Sequence, residues 1–171
     1  SEAWDALKGR DQKSDLKGSI FFTDFPDPNN FYLLDEPVEK KWTDLIRVRS
    51  EITKALETAR ADKTIGHPLE AELLICAEGP LQEFVAEQEQ MLKELSIVSE
   101  LTLIDRQGFG DLEPVQSEEV EGLFVGVRAA SGEKCERCWI RSETVGQMEG
   151  HPNICSRCFD VVDSLNPQLA E

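Results

Sequence analysis

Hydrophobic positions along this chain fall into short runs of differing period. From Val38 to Ala61, Trp42, Leu45, Ile52, Leu56 and Ala59 recur at spacings of three, four and seven. That spacing makes one apolar stripe on a helix. Arg47, Arg49, Lys54 and Arg60 lie on or beside its polar face. Such a helix is solvated on one side and packed on a bundle on the other; contact of its cations with a polyanion is the alternative. Gly66-His67-Pro68 breaks the pattern.

The next run, Ala71 to Ala77, with Leu73, Leu74, Ile75 and Cys76 in succession, reads as a buried strand, with Cys76 as a core residue. Gly79-Pro80 opens a second helix, in which Leu81, Phe84, Val85, Gln88, Met91, Leu92 and Leu95 keep helical spacing. Ile97 to Ile104 reads as a strand, with Leu101 and Leu103 alternating against Thr102. Asp111 to Gly122 is an acidic loop, and Leu123 to Val127 a further strand. Upstream, Ser19 to Thr23 is rich in β formers, and Asp24 to Asn30 is loop.

The fold class expected from these runs is α+β. Residues 1–64 centre on the amphipathic helix, 65–130 form a small α+β unit, and 131–171 hold a four-cysteine knuckle or ribbon. The helix and the α+β unit are each expected to have a core.

Composition is that of a chain able to bury a core, with 40% hydrophobic and 30% charged residues among 171. No apolar run approaches the roughly 18 residues needed to span a bilayer, so a membrane is not an expected partner. The opening Ser1-Glu2-Ala3-Trp4 has no export signal, and without an initiator Met it suggests an excised or processed piece. The net charge of −16 argues against nucleic acid when taken alone. Yet Arg128 to Cys158 carries +1, which leaves −17 on the rest of the chain.

Within that less acidic stretch stand Cys135-x-x-Cys138 and Cys155-x-x-Cys158, sixteen residues apart. Two intervening residues let a tight turn aim both sulfurs at one point, and two such turns complete a tetrahedron around zinc. Four thiolates leave no open coordination position, so the zinc is structural. A redox Cys-x-x-Cys pair and two disulfides are the rival readings, and His151 is an alternative ligand. Trp139 and Arg137 flank Cys138, with Lys134, Arg141 and Arg157 nearby. The indole either covers the metal or stacks on an unpaired base, with the cations set for phosphate or base edges.

The segments GEKCERCW (Gly132 to Trp139) and HPNICSRC (His151 to Cys158) resemble the C-terminal zinc element of bacterial-type isoleucyl-tRNA synthetase. The similarity extends upstream to Val48–Arg60, to Lys63–Ala71 and to Ser19–Pro26, most of the chain. It implies that residues 1–64 are the tail of a helical anticodon-binding domain. The implied activity is ATP- and magnesium-dependent joining of isoleucine to tRNA(Ile). This region would grip the anticodon side through Lys134, Arg137, Trp139, Arg141 and Arg157 and do no chemistry. The His-x-Gly-His and Lys-Met-Ser-Lys-Ser signatures of the catalytic core are absent from these 171 residues. The implied partners are tRNA(Ile) and the rest of the synthetase. Bacterial cytosol, plastid and mitochondrion all fit. A detached synthetase tail, reused as a zinc-stabilised structural or protein-interaction subunit, is the alternative.

Overall fold

The structure is a computed structural model, which describes residues 33–165. The chain divides into a unit Ser1–Val38 and a unit Glu39–Glu171. The strand expected at Ser19–Thr23 and the loop at Asp24–Asn30 lie outside the described residues. The α+β class holds, with helices, a mixed four-stranded sheet and a small two-stranded ribbon.

Helix α1 runs over Glu36–Ala61. Its buried face is Leu45, Val48, Glu51, Ile52, Ala55, Leu56 and Ala59, a three-four repeat that keeps every member on one side. Trp42 shares that side by spacing, but the buried run begins only at Leu45, and Trp42 is 36% exposed. A tight 3-10 turn, Pro68–Glu70, then leads into β1, Ala71–Ala77. In that turn the His67 side chain accepts the Leu69 N–H, while Glu70 reaches back to the His67 N–H. This reciprocal capping satisfies donors that a short turn leaves unpaired.

The expected second helix is two, α2 over Pro80–Glu87 and α3 over Glu89–Ser96. They divide at Gln88, whose φ of −107° and ψ of 13° depart from helical values. The Gln88 N–H is shared between the carbonyls of Phe84 and Val85, so the ladder slips there by a residue. Strand β2 covers Glu100–Leu103 and starts later than Ile97. Ile97 instead caps α3 in the left-handed region and is 57% exposed. The acidic stretch is not all loop, for β3 forms at Val115–Gln116. Strand β4 spans Leu123–Ala129.

The sheet order is β2-β1-β4-β3. Strand β1 is parallel to β2 and antiparallel to β4, with Leu73 opposite both Leu101 and Val127. Being central, β1 is buried on both faces, which accounts for the unbroken apolar run Leu73–Ala77. Leu73 and Ile75 face α1, joining Leu45, Ile52, Leu56, Val85, Leu92 and Val125 in one cluster. Leu74 and Cys76 point the other way, onto Phe109 and Phe124. Cys76 is a core residue, as expected. Helix and sheet therefore share a single core, contrary to the expectation of one core each. An amphipathic helix stabilises itself by burying its stripe, and here the sheet is what covers it.

A polar link crosses this interface. Buried Glu51 of α1 accepts the Ser117 hydroxyl at 2.7 Å and pairs with Lys54 at 2.6 Å. Lys54 also reaches Glu119 at 3.0 Å. No described helix is long and apolar enough to cross a membrane.

Candidate functional site

Beyond β4 the chain forms a ribbon of β5 (Glu133–Lys134) and β6 (Arg141–Ser142), then helix α4, Ser156–Leu165. The ribbon is closed by the first knuckle. Trp139 takes a left-handed conformation, φ 67°, which turns the chain so that Ile140 O accepts the Cys135 N–H at 2.9 Å. The Trp139 N–H in turn bonds Cys135 O at 2.9 Å. A bulky residue in this region costs on the order of 1–3 kcal/mol and persists only where its surroundings fix it. Gly132, at φ 79°, lies so close to the backbone of Ser142 and Glu143 that any Cβ there would collide with it. The second knuckle sits at the start of α4, where Cys155 O accepts the Phe159 N–H.

The sulfurs of Cys135, Cys138, Cys155 and Cys158 all lie within 4.8 Å of one another. Cys138 and Cys155 are 3.7 Å apart at sulfur. Four ligands at the usual Zn–S length of ~2.3 Å around a tetrahedron would stand about 3.8 Å apart, so the donor set fits zinc. The same separation is far beyond a disulfide bond of about 2.05 Å. His151 is not part of the cluster; it is exposed, and its ring meets that of Phe159 edge-on at 5.8 Å.

The thiols do not ionise alike. Burial works to raise Cys135, but the backbone N–H groups of Cys138, Cys155 and Arg137 outweigh it and bring it down to about 6. Burial pushes Cys155 up to about 12, against the N–H of Cys158 and with the neighbouring sulfurs adding to the rise. Burial also raises Cys138. Full ionisation of the set therefore calls for a cation at its centre, which a bound zinc supplies.

Two arginines face the sulfurs. Arg137 Nη1 donates to Cys158 Sγ at 3.6 Å. Arg157 is raised above its ordinary value chiefly by a hydrogen bond to Cys138. Four thiolates around a dication carry a net −2, and two guanidinium groups balance it. Sequence reasoning had given both side chains to RNA alone. Arg141 lies half-buried, its Nη1 on Gly132 O at 3.1 Å. Lys134 stands with Nζ 5.5 Å from the centre of the Trp139 ring. Trp139 itself is 60% exposed.

Three residues that sequence reasoning did not place here complete the surroundings of Trp139. His67, Leu69 and Glu70 line, with Lys134, Trp139 and Arg141, a cavity of about 260 Å³. The His67–Glu70 spacing was their one visible sign, as a helix-capping pattern. A wider cavity of about 620 Å³ lies at the carboxyl ends of β1 and β2, far from the cysteines in sequence and lined by Glu78, Asp105 and Arg106. Arg106 is engaged there by Glu78 at 3.5 Å and by the Phe124 ring at 3.5 Å, which leaves that cavity poorly suited to an anion.

Residues 132–161 match the family described as "Zinc finger found in FPG and IleRS". Across a longer span the chain is similar to bacterial isoleucine–tRNA ligases. It is 48% identical to that of Desulfotalea psychrophila over 172 residues, covering 99% of this chain and 18% of that protein. Identity is 44% to the Desulfitobacterium hafniense enzyme, over 77% of this chain and 14% of that protein. It is 42% to the Geobacter sulfurreducens enzyme, over 75% and 14% respectively. The chain thus spans less than a fifth of the length of the curated relatives it matches. Over nearly its whole length the chain is thus similar to the C-terminal region of isoleucine–tRNA ligases that carries the zinc finger.

Proposed function

We propose that this region meets the anticodon side of tRNA(Ile) and so supports charging carried out elsewhere in the synthetase. The reading rests on one observation above all. Trp139 is held in a strained backbone conformation on a knuckle whose sulfurs converge, yet its ring is open to solvent. An exposed indole on a rigid turn is a stacking surface for an unpaired base. Cys135, Cys138, Cys155 and Cys158 hold a structural zinc that fixes the turn, and rigid placement lowers the entropy lost on binding. Lys134 and Arg141 stand beside the ring for phosphate or base edges. Arg137 and Arg157 are exposed and, after balancing the sulfurs, keep further N–H donors for phosphate.

Activation of isoleucine with ATP and Mg²⁺ belongs, on this reading, to the part of the enzyme outside these residues, in the bacterial cytoplasm. The strong acidity of the remaining surface suits a region that touches RNA on one face only. The test uses the complete synthetase carrying Trp139→Ala. The expected result is weaker tRNA binding, by roughly 1–3 kcal/mol, and slower charging, with isoleucine activation untouched. Intact charging with zinc still bound would overturn the reading and favour the protein-interaction module.

A further inference from the structure

The cavity beside Trp139 has a polar wall that comes from outside the zinc element. Glu70 Oε2 accepts the backbone N–H groups of Gly66 at 2.8 Å and His67 at 3.3 Å. Oε1 has no hydrogen-bond partner among the described residues. Those backbone donors, that of Gly66 first, hold the Glu70 carboxyl below its ordinary value, so it is ionised at neutral pH. His67 Nδ1 accepts the Leu69 N–H at 3.2 Å, which places the proton of a neutral ring on Nε2. The turn thus offers one fixed acceptor and one fixed donor next to an open indole.

We infer that this cavity holds one unstacked nucleobase of the RNA, with its face on Trp139 and its edge read by Glu70. At about 260 Å³ it is smaller than the roughly 300–1,000 Å³ of drug-sized ligand sites, and suits one ring system. A carboxylate oxygen accepts an exocyclic amino group and repels a carbonyl. The base selected therefore carries an amino group (adenine, cytosine or guanine), and uracil is disfavoured. Lys134 and Arg141 also line the cavity, as cations that would meet the phosphates on either side of the base. Glu70 is here a specificity-determining residue and takes no part in the chemistry.

The inference rests on the tRNA-facing reading above, and the experiment separates the two. Glu70→Gln keeps an oxygen for the Gly66 and His67 N–H groups and puts an amide N–H₂ in place of the unpartnered Oε1. The complete, zinc-loaded synthetase is titrated with tRNA(Ile) transcripts that carry each of the four bases at each anticodon-loop position. The unaltered protein should prefer an amino-bearing base over uracil at one position, by roughly tenfold. In the Glu70→Gln protein that preference should vanish or invert at the same position, with zinc content and isoleucine activation unchanged. Trp139→Ala should weaken every transcript alike. If Trp139→Ala weakens binding while Glu70→Gln leaves the base profile as it was, the inference is overturned and the tRNA-facing reading stands. If Trp139→Ala has no effect on any transcript, both fall.

Discussion

The hydroxyl of Ser99 accepts the backbone N–H of Arg141 at 2.7 Å and donates to the carbonyl of Leu69 at 2.5 Å. Ser99 is only 2% exposed. One buried oxygen therefore ties the ribbon of the zinc element to the turn that carries His67 and Glu70, and fixes the two walls of the cavity relative to each other.

Ser99→Ala leaves a backbone donor and a backbone acceptor short of a partner. The expected loss is about 1–3 kcal/mol in urea unfolding of the zinc-loaded protein. It should also loosen Trp139, seen, with Trp4 and Trp42 replaced by Phe, as a drop in tryptophan anisotropy beyond that of a surface control such as Glu149→Ala. An unchanged midpoint would mean that solvent replaces the hydroxyl there.

Zinc should bind at one ion per chain, and its uptake should release protons. Cys138 and Cys155 are raised above their ordinary value and hold protons near neutral pH, whereas Cys135, at about 6, is already largely ionised. Affinity should therefore rise with pH. Calorimetry in buffers of different ionisation enthalpy measures the protons directly. A heat independent of buffer would contradict this protonation pattern. Chelation should loosen residues 131–160 and spare the α1–sheet core, which makes no use of the metal.

Arg137→Ala and Arg157→Ala should each lower zinc affinity by about 10–100-fold, the usual effect of losing a group that supports metal ligands. Competition with a chromogenic chelator reads this without any RNA present. Full retention of affinity would release both arginines from the metal and leave RNA as their main role.

Leu56 is 4% exposed in the shared core. Leu56→Ala should cost about 2–5 kcal/mol, and Ile46→Ala, at a site 55% exposed, within about 0.5 kcal/mol. Because helix and sheet share one core, the first loss should appear as a single transition that includes the sheet.

Glu51 is held below its ordinary 4.5 by its hydrogen bond to Lys54, against burial, with Ser117 helping. A carboxylate depressed in the folded state stabilises it above the unfolded value, and that share is lost as pH falls through the folded value. Glu51→Ala should remove roughly 1.5–3 kcal/mol at pH 7 and flatten the acid limb below pH 4.5. Equal acid limbs for the two proteins would assign the acid sensitivity to other carboxylates.

The zinc cluster was legible because its signal is local: two fixed spacings name the ligands without any knowledge of the fold. Strand β1 was legible for the same reason, five successive apolar residues running from Leu73 to Ala77. What escaped depends on distance in sequence. Glu51 looks like one more charge on a polar face until Ser117 meets it from 66 residues away. The break at Gln88 leaves no mark, because a polar residue is ordinary at a helical position and neither Gly nor Pro announces the slip. Trp42 and Leu45 follow one period, yet only tertiary packing decides where burial begins. Glu70 was hidden from the site altogether, since 69 residues separate it from Trp139 and only the fold brings both to one cavity.

The central place of β1 also governs how the protein is made. Its parallel partner emerges from the ribosome soon after it, but its antiparallel partner, β4, begins only at Leu123. Until then one edge of a strand reading Leu73-Leu74-Ile75-Cys76 has no ladder to join. At roughly 5–20 residues per second this open edge persists for a few seconds on every nascent chain. An unpaired apolar edge templates association with other chains. Slowing translation between Ala77 and Leu123 should therefore divert newly made protein into aggregates, even though the finished fold leaves β1 with no free edge.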